Sequence, residues 1–150
     1  MFAEFKYDKF PIVFVTFSEY INSEEEFDKF LNEWLILYHN RKDFSYIFDT
    51  RNMKNINIKY AIKITLFIKS LRKEPYHYLQ KSLILINDKS IKRLLDFVFT
   101  LQSPVAPVYL WITDERNEDI LINTLNSINR VNLSENMIYI KPNSSLIPFL

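Results

Sequence analysis

The chain of 150 residues contains no cysteine and no glycine. The missing cysteine excludes disulfides, thiolate nucleophiles and thiolate metal sites. The missing glycine excludes the phosphate-binding loops that depend on it, such as the Walker and dinucleotide-binding motifs. Two histidines without a metal-ligand spacing predict no transition-metal site either. The sequence therefore points to no cofactor and no metal.

The chain also has no large excess of either sign of charge and no long hydrophobic run. Lys and Arg number 19 and Asp and Glu 18, so a net charge of +1 gives no reason to expect a nucleic-acid partner. No apolar run reaches the roughly 20 residues that a membrane-spanning helix needs. The first ten residues carry charges where a signal peptide would be apolar. We therefore expect a cytoplasmic protein that does not insert into a membrane.

Apolar runs typical of strands alternate with amphipathic segments typical of helices. Strands are predicted over residues 2–7, 11–17, 44–49, 82–86, 108–112 and 137–141. Helices are predicted from a cap at Ser23 to about 39, over 59–73, from a cap at Asp88 or Ser90 to 101, and from a cap at Thr113 or Asp114 to 129. This alternation is typical of an α/β fold with mostly parallel strands joined by right-handed crossovers.

We expect a single α/β domain over residues 1–141 and an irregular C-terminal tail over 142–150. Hydrophobic residues make up 48% of the chain and aromatic residues 16%, which is enough for a packed core. The sheet is predicted to be mostly parallel, with about five strands, an N-terminal antiparallel hairpin and about four helices. Strand order does not follow from the pattern.

Two of the predicted helices carry more apolar surface than one inward face needs. Tyr60, Ile62 and Leu66 widen the apolar face of the second helix, and Phe97 and Phe99 lie beside that of the third. Three explanations stay open: a core that wraps around both helices, a contact with a partner or a second copy, and a lipid-type pocket.

Acidic residues follow several of the predicted strands. Ligands of open α/β sheets bind at the carboxyl ends of the strands, where Asp49, Asp88 and Asp114 would together supply oxygen ligands for a hard cation. The same residue type also caps helices, and Asp88 and Asp114 stand at cap positions. Asp49 lies well before its helix and is therefore the acid that we keep as a site candidate. No nucleophile motif is present, so we assign no catalytic residue.

Four stretches of the chain carry a family resemblance. They are FPIVFV (10–15) in the hairpin, YIFD (46–49), SLILI (82–86), and PVYLW (107–111), which leads into a helix. In this order, over about residues 1–130, they resemble the STAS and anti-sigma-factor antagonist-like domains, including their lipid-transfer-related branch. The resemblance implies a superhelix of β/α units that acts in regulatory protein contacts or binds nucleotides or lipids.

One part of the family pattern is missing. Phosphorylatable members open the helix after the Asp-ending strand with a motif of the Asp-Ser-Ser-Gly type. Here Asn57, Ile58, Lys59 and Tyr60 stand at that place, without the phosphate-accepting serine or the glycine. The resemblance therefore implies the scaffold and a partner surface around residues 50–60, without the usual phosphorylation switch.

Together these observations predict a non-enzymatic regulatory or protein-interaction module that contacts a protein partner or a second copy. The partner- or ligand-binding residues are predicted to be Asp49, Thr50, Arg51, Asn57, Lys59 and Tyr60. One alternative is a carrier or sensor of a small apolar, lipid-like ligand or of a nucleotide, which requires a mostly apolar cavity between helices and sheet. A second alternative is an enzyme with Asp49 and Asp114 as acid-base or metal residues.

Overall fold

The structure, a computed structural model, describes residues 1–87 and 89–142. Within them, runs rich in β-branched and aromatic residues form the strands β1 (Ala3–Lys6), β2 (Ile12–Phe17), β3 (Phe44–Asp49), β4 (Leu79–Ile86), β5 (Val108–Ile112) and β6 (Met137–Ile140). The amphipathic segments form the helices α1 (Glu24–His39), α2 (Ile58–Leu71), α3 (Lys89–Leu101) and α4 (Glu118–Ser127). None of the helices in these ranges is long and apolar enough to cross a membrane.

The strands form one sheet in the order β1-β2-β3-β4-β5-β6. The pairs from β2 to β5 are parallel, whereas β1 and β6 run antiparallel to their neighbours at the two edges. The predicted α/β fold and its N-terminal hairpin are confirmed. The sheet has six strands where about five were expected, since the short strand predicted at 137–141 also joins it, pairing with β5 as a second antiparallel edge.

The sheet separates two apolar layers. On one face, which we call the first face, the helices α1, α2 and α3 pack on the sheet through an aromatic core. Its buried rings include Phe17, Phe30, Trp34, Tyr46 and Phe48. On the opposite face α4 packs against the sheet through Leu121 and Leu125. Three helices share the first face because each parallel crossover moves one strand further in the same direction.

Local signals explain both ends of α1. The Ser23 hydroxyl accepts a hydrogen bond from the backbone N–H of Glu26 at 3.3 Å, as the predicted cap requires. The Glu26 carboxylate reaches back to the N–H of Asn22 at 3.2 Å, one residue earlier than in a standard capping box. After the helix, Arg41 has φ 58°, the left-handed conformation that glycine usually supplies.

The predicted start of α4 is wrong. Thr113 and Asp114 do not cap this helix; the side chain of Asn117 does, accepting from the N–H of Ile120 at 3.2 Å. The loop before it keeps its own hydrogen bonds, since the Glu115 carboxylate accepts from the N–H of Asn117 at 3.1 Å. These bonds keep the chain out of the helix until residue 117.

Smaller differences concern β4 and α3. β4 begins at Leu79, three residues before the predicted start at Ser82. α3 begins at Lys89, so Ser90 lies inside the helix and is not its cap. The other predicted cap, Asp88, lies outside the described residues, as do residues 143–150 of the predicted tail.

Candidate functional site

The carboxyl ends of the parallel strands are joined by an ion pair whose arginine is almost completely buried. The side chain of Arg51, 3% exposed, donates from Nε and Nη2 to the two carboxylate oxygens of Asp49 at 2.9 and 3.0 Å. Its Nη1 donates to the carbonyl oxygens of Thr113 at 3.2 Å and Glu115 at 2.5 Å. The guanidinium therefore ties the end of β3 to the loop after β5, with each of its nitrogens engaged.

Two further side chains connect β4 to the same place. The amide of Asn87 donates to the carbonyl oxygen of Arg51 at 2.6 Å. The hydroxyl of Thr50 donates to the carbonyl oxygen of Leu85 at 2.8 Å. We call Asp49, Thr50, Arg51 and Asn87 the strand-end cluster. Each of its four side chains forms a hydrogen bond, within the cluster or to a backbone carbonyl nearby, so its main physical effect is to fix the loops at the carboxyl ends of the strands.

The charge state of Asp49 follows from this arrangement. Burial by itself would raise the pKa of the carboxyl, but the hydrogen bonds and the positive charge of Arg51 outweigh it, and the pKa is lowered. A general acid or base works best when its pKa lies near the operating pH. The pKa of Asp49 is instead shifted away from neutral pH. Asp114 lies exposed in the loop before α4, and the described residues contain no group of His, Asp and Glu that could hold a metal ion.

A cavity of about 130 Å³ lies between the first face of the sheet and the helices α1, α2 and α3. Its wall combines aromatic and aliphatic side chains from these elements, among them Phe27, Phe30, Trp34, Phe48, Ile64, Leu94, Val98 and Phe99. An engineered protein cavity of about 150 Å³ with a comparable apolar lining stays dry and binds benzene. The volume and lining therefore suit a small apolar molecule or the apolar part of a larger one.

The cavity wall carries few polar groups. Thr50, Tyr60 and Ser82 are among its described residues, and the hydroxyl of Thr50 is already bound to the Leu85 carbonyl. The indole Nε1 of Trp34 is buried and has no hydrogen-bond partner among the described residues. An unpaired buried N–H of this kind costs free energy.

A groove of about 340 Å³ adjoins this cavity. It lies between the loop after β3, the start of α2 and the first turns of α3, and it is lined by Lys54, Asn55, Ile56, Ile58, Ile91, Arg93, Leu94 and Phe97. Ile56 and Leu94 line both spaces, so the groove stands at the mouth of the cavity. The groove lies at the carboxyl ends of the parallel strands β3 and β4.

The six residues predicted for binding fall into three groups. Asp49, Thr50 and Arg51 belong to the strand-end cluster. Thr50 and the buried Tyr60 line the cavity. The remaining two, Asn57 and Lys59, lie exposed at the start of α2. Asn57 caps the helix by accepting from the N–H of Lys59 at 3.0 Å, and the Lys59 ammonium donates to Glu24 at 3.1 Å. Their part in binding a partner stays a prediction.

The apolar excess of α2 and α3 has more than one cause. Tyr60 and Phe99 line the cavity, and Phe97 lines the groove. Ile62 and Leu66, in contrast, are exposed on the outer side of α2. The excess therefore reflects a pocket at some positions and an uncovered surface at others.

Sequence reasoning missed Trp34, Val98 and Arg93 as site residues. The first two belong to the ordinary apolar faces of their helices, and nothing in their spacing separates a cavity wall from a filled core. Arg93 lies on the exposed side of α3. Only the surplus of apolar residues on α2 and α3 was a usable signal.

Comparison with protein-family models, with curated proteins and with solved structures finds no match to this chain. The family resemblance drawn from the sequence stays a prediction.

Proposed function

We propose that this protein binds a small apolar molecule in the cavity between the first face and the helices α1 to α3, as a carrier or sensor of that molecule. The observation that carries the proposal is the cavity itself. Protein interiors normally leave few voids larger than a water molecule. At about 24 cal/mol per Å³, an empty cavity of this size costs about 3 kcal/mol, which a fitting ligand would largely recover.

The two tryptophans of the chain allow a direct test. Trp34 lines the cavity, whereas Trp111 packs in the apolar layer on the α4 side of the sheet. In the variant W111F, Trp34 is the one remaining tryptophan and its fluorescence reports on the cavity. Titration of this variant with benzene is expected to change the Trp34 emission and to saturate.

A substitution that fills the cavity tests the proposal further, and the same substitution outside the cavity is its control. Val98 lines the cavity, and Val131 lies 85% exposed outside it, so V98F and V131F introduce the same ring at the two places. In the W111F background, V98F is expected to abolish the response to benzene and V131F to leave it unchanged. If V98F fails to fold, V98L is used in its place. An equal response in both variants, or none in W111F, contradicts the proposal.

A native mass spectrum of the protein purified without added ligand addresses the carrier role separately. A carrier of a tightly held molecule is expected to show an added mass of a few hundred daltons beside the 18.1 kDa of the chain. The bare chain mass in every preparation would favour a sensor that binds and releases its ligand. That outcome would contradict the carrier form of the proposal.

A second candidate is the predicted role as a protein-interaction module, and one observation favours it. Ile58, Ile62 and Leu66 follow one another at four-residue spacing along α2 and are 57%, 46% and 59% exposed. A row of large apolar side chains on a surface is typical of an interface. Sedimentation velocity tests self-association: I62K is expected to dissociate a dimer, and I120K on α4 is the control. A wild-type protein that stays monomeric at all concentrations contradicts the self-association.

A further inference from the structure

The groove at the mouth of the cavity is positively charged. Lys54 and Arg93 both line it, and no acidic residue stands among the described residues of its wall. Arg93 forms no ion pair within the part of the chain that the structure describes. Lys54 has a distant one, with 3.9 Å between its Nζ and the carboxylate of Glu19, and both side chains are more than half exposed. Such a pair holds the lysine weakly, so two cations are left for a ligand.

The rest of the groove is apolar and leads inward. Ile58 and Phe97, which are 57% and 37% exposed, form its outer walls, and Ile56 and Leu94 continue into the cavity. The polarity therefore changes along one path, from two cations at the surface to an apolar interior. A molecule that matches this path has a charged end and an apolar end.

We propose that the ligand is a small carboxylate with an apolar tail, whose tail enters the cavity while its carboxylate binds Arg93 and Lys54 in the groove. The inference rests on the proposed function, since it concerns the chemical class of the molecule in the cavity. The charged end stays in the groove because an ionised group in the apolar cavity would lose its hydration without compensation. An arginine at the mouth supplies parallel N–H donors that suit a carboxylate.

A nucleotide fits this path less well. Its phosphates would meet the same two cations, but its base would have to enter the cavity with several polar edge groups. The described wall of the cavity is almost entirely apolar, so it offers the base few partners. Each unpaired polar group that is buried costs free energy, so an alkyl or aryl tail is favoured.

Octanoate and octan-1-ol are suitable probes because they share the tail and differ in charge. In calorimetric titrations at low salt, octanoate is expected to bind about fivefold more tightly than octan-1-ol, since exposed ion pairs contribute modestly. The preference is expected to shrink as the salt concentration rises, because exposed charges are screened. The affinity for octan-1-ol is expected to be insensitive to salt.

Substitution of the cations identifies where the carboxylate binds. R93Q is expected to lower the affinity for octanoate about threefold and to leave that for octan-1-ol unchanged, with K54Q acting in the same direction. R130Q is the matched control, since Arg130 lies exposed in the turn after α4 and does not line the groove.

The outcomes separate this inference from the proposed function. If octan-1-ol and octanoate bind equally, and V98F abolishes both, the cavity binds apolar molecules but the carboxylate inference is overturned. If R93Q and R130Q act alike, the carboxylate does not bind in the groove, and the inference is likewise overturned. If neither probe binds, both the inference and the proposed function fail.

Discussion

Arg51 and Asp49 lie two residues apart at the end of β3 and form a two-pronged ion pair in which the arginine side chain is 3% exposed. The third guanidinium nitrogen binds carbonyl oxygens of Thr113 and Glu115, more than 60 positions further along the chain. One side chain thus connects a local turn to a distant loop. Its loss would break both connections at once.

The variant R51M tests this role. It removes the guanidinium donors from the partly buried carboxylate of Asp49, which keeps only the backbone N–H of residue 51, and from the two loop carbonyls. We therefore expect the free energy of unfolding to fall by about 3 kcal/mol. Urea denaturation followed by circular dichroism measures the change. R116M is the control, because Arg116 is 67% exposed and its Nη1 lies 3.8 Å from the Asp49 carboxylate. Equal losses in the two variants would contradict the structural role of Arg51.

The lowered pKa of Asp49 predicts how stability depends on pH. Because the folded-state pKa lies below the unfolded value of about 3.9, the ionised carboxylate stabilises the fold above that value. This contribution is lost as the pH falls from about 4 through the folded-state pKa. The stability difference between wild type and D49N is therefore expected to be constant from pH 7 to pH 5 and to shrink below pH 4. Denaturation curves at several pH values measure this difference in the free energy of unfolding. A difference that grows in acid would contradict the lowered pKa of Asp49 in the folded protein.

The end of α1 offers a site for stabilisation. In a chain without glycine, Arg41 takes the left-handed conformation, with φ 58°, that costs a residue with a Cβ atom about 1–2 kcal/mol. R41G removes this cost but gives the unfolded chain more freedom, so we expect a net gain of about 0.5–1 kcal/mol. K42G, at the next residue, relieves no left-handed conformation and only gives the unfolded chain more freedom. It is therefore expected to destabilise the fold. Thermal denaturation of each variant measures the change in melting temperature. A lower melting temperature for R41G than for the wild type would contradict the prediction.

The fold could be predicted from the sequence because strand and helix periodicities differ and alternate cleanly here. The start of α1 also followed from local residues, Ser23 and Glu26. The start of α4 did not, since Thr113, Asp114 and Asn117 are all good caps by type. The choice depends on Arg51, which binds the carbonyls of residues 113 and 115 and holds that segment as a loop.

The candidate site was predicted only in part, for a similar reason. The residues of the strand-end cluster follow predicted strands, so the pattern of the sequence was enough to find them. The ion pair between Arg51 and Asp49 depends on side-chain geometry, which the pattern does not contain. The cavity depends on how far three helices stand from the sheet, and no spacing in the sequence encodes that distance. Tyr60 and Phe99 indicated surplus apolar surface without indicating whether it would be filled.

The cavity itself makes a prediction that needs no ligand. Val98, on α3, lines it, whereas Val13, on β2, is completely buried elsewhere in the core. V98I and V13I add the same methyl group at the two positions, and both keep a β-branched side chain. In the cavity the added group meets empty space and is expected to stabilise the fold by up to about 0.8 kcal/mol. In the filled core it is expected to cost about 1 kcal/mol or more through crowding.

Urea denaturation of both variants in ligand-free protein measures the two effects. Opposite signs, with V98I more stable and V13I less stable than wild type, are the expected result. Because the two substitutions add the same methyl group and keep β-branching, a sign difference of this size reports mainly the space around each side chain. If V98I is destabilised as much as V13I, the wall of the cavity is packed as tightly as the core, and a space for an apolar molecule between α3 and the sheet is excluded.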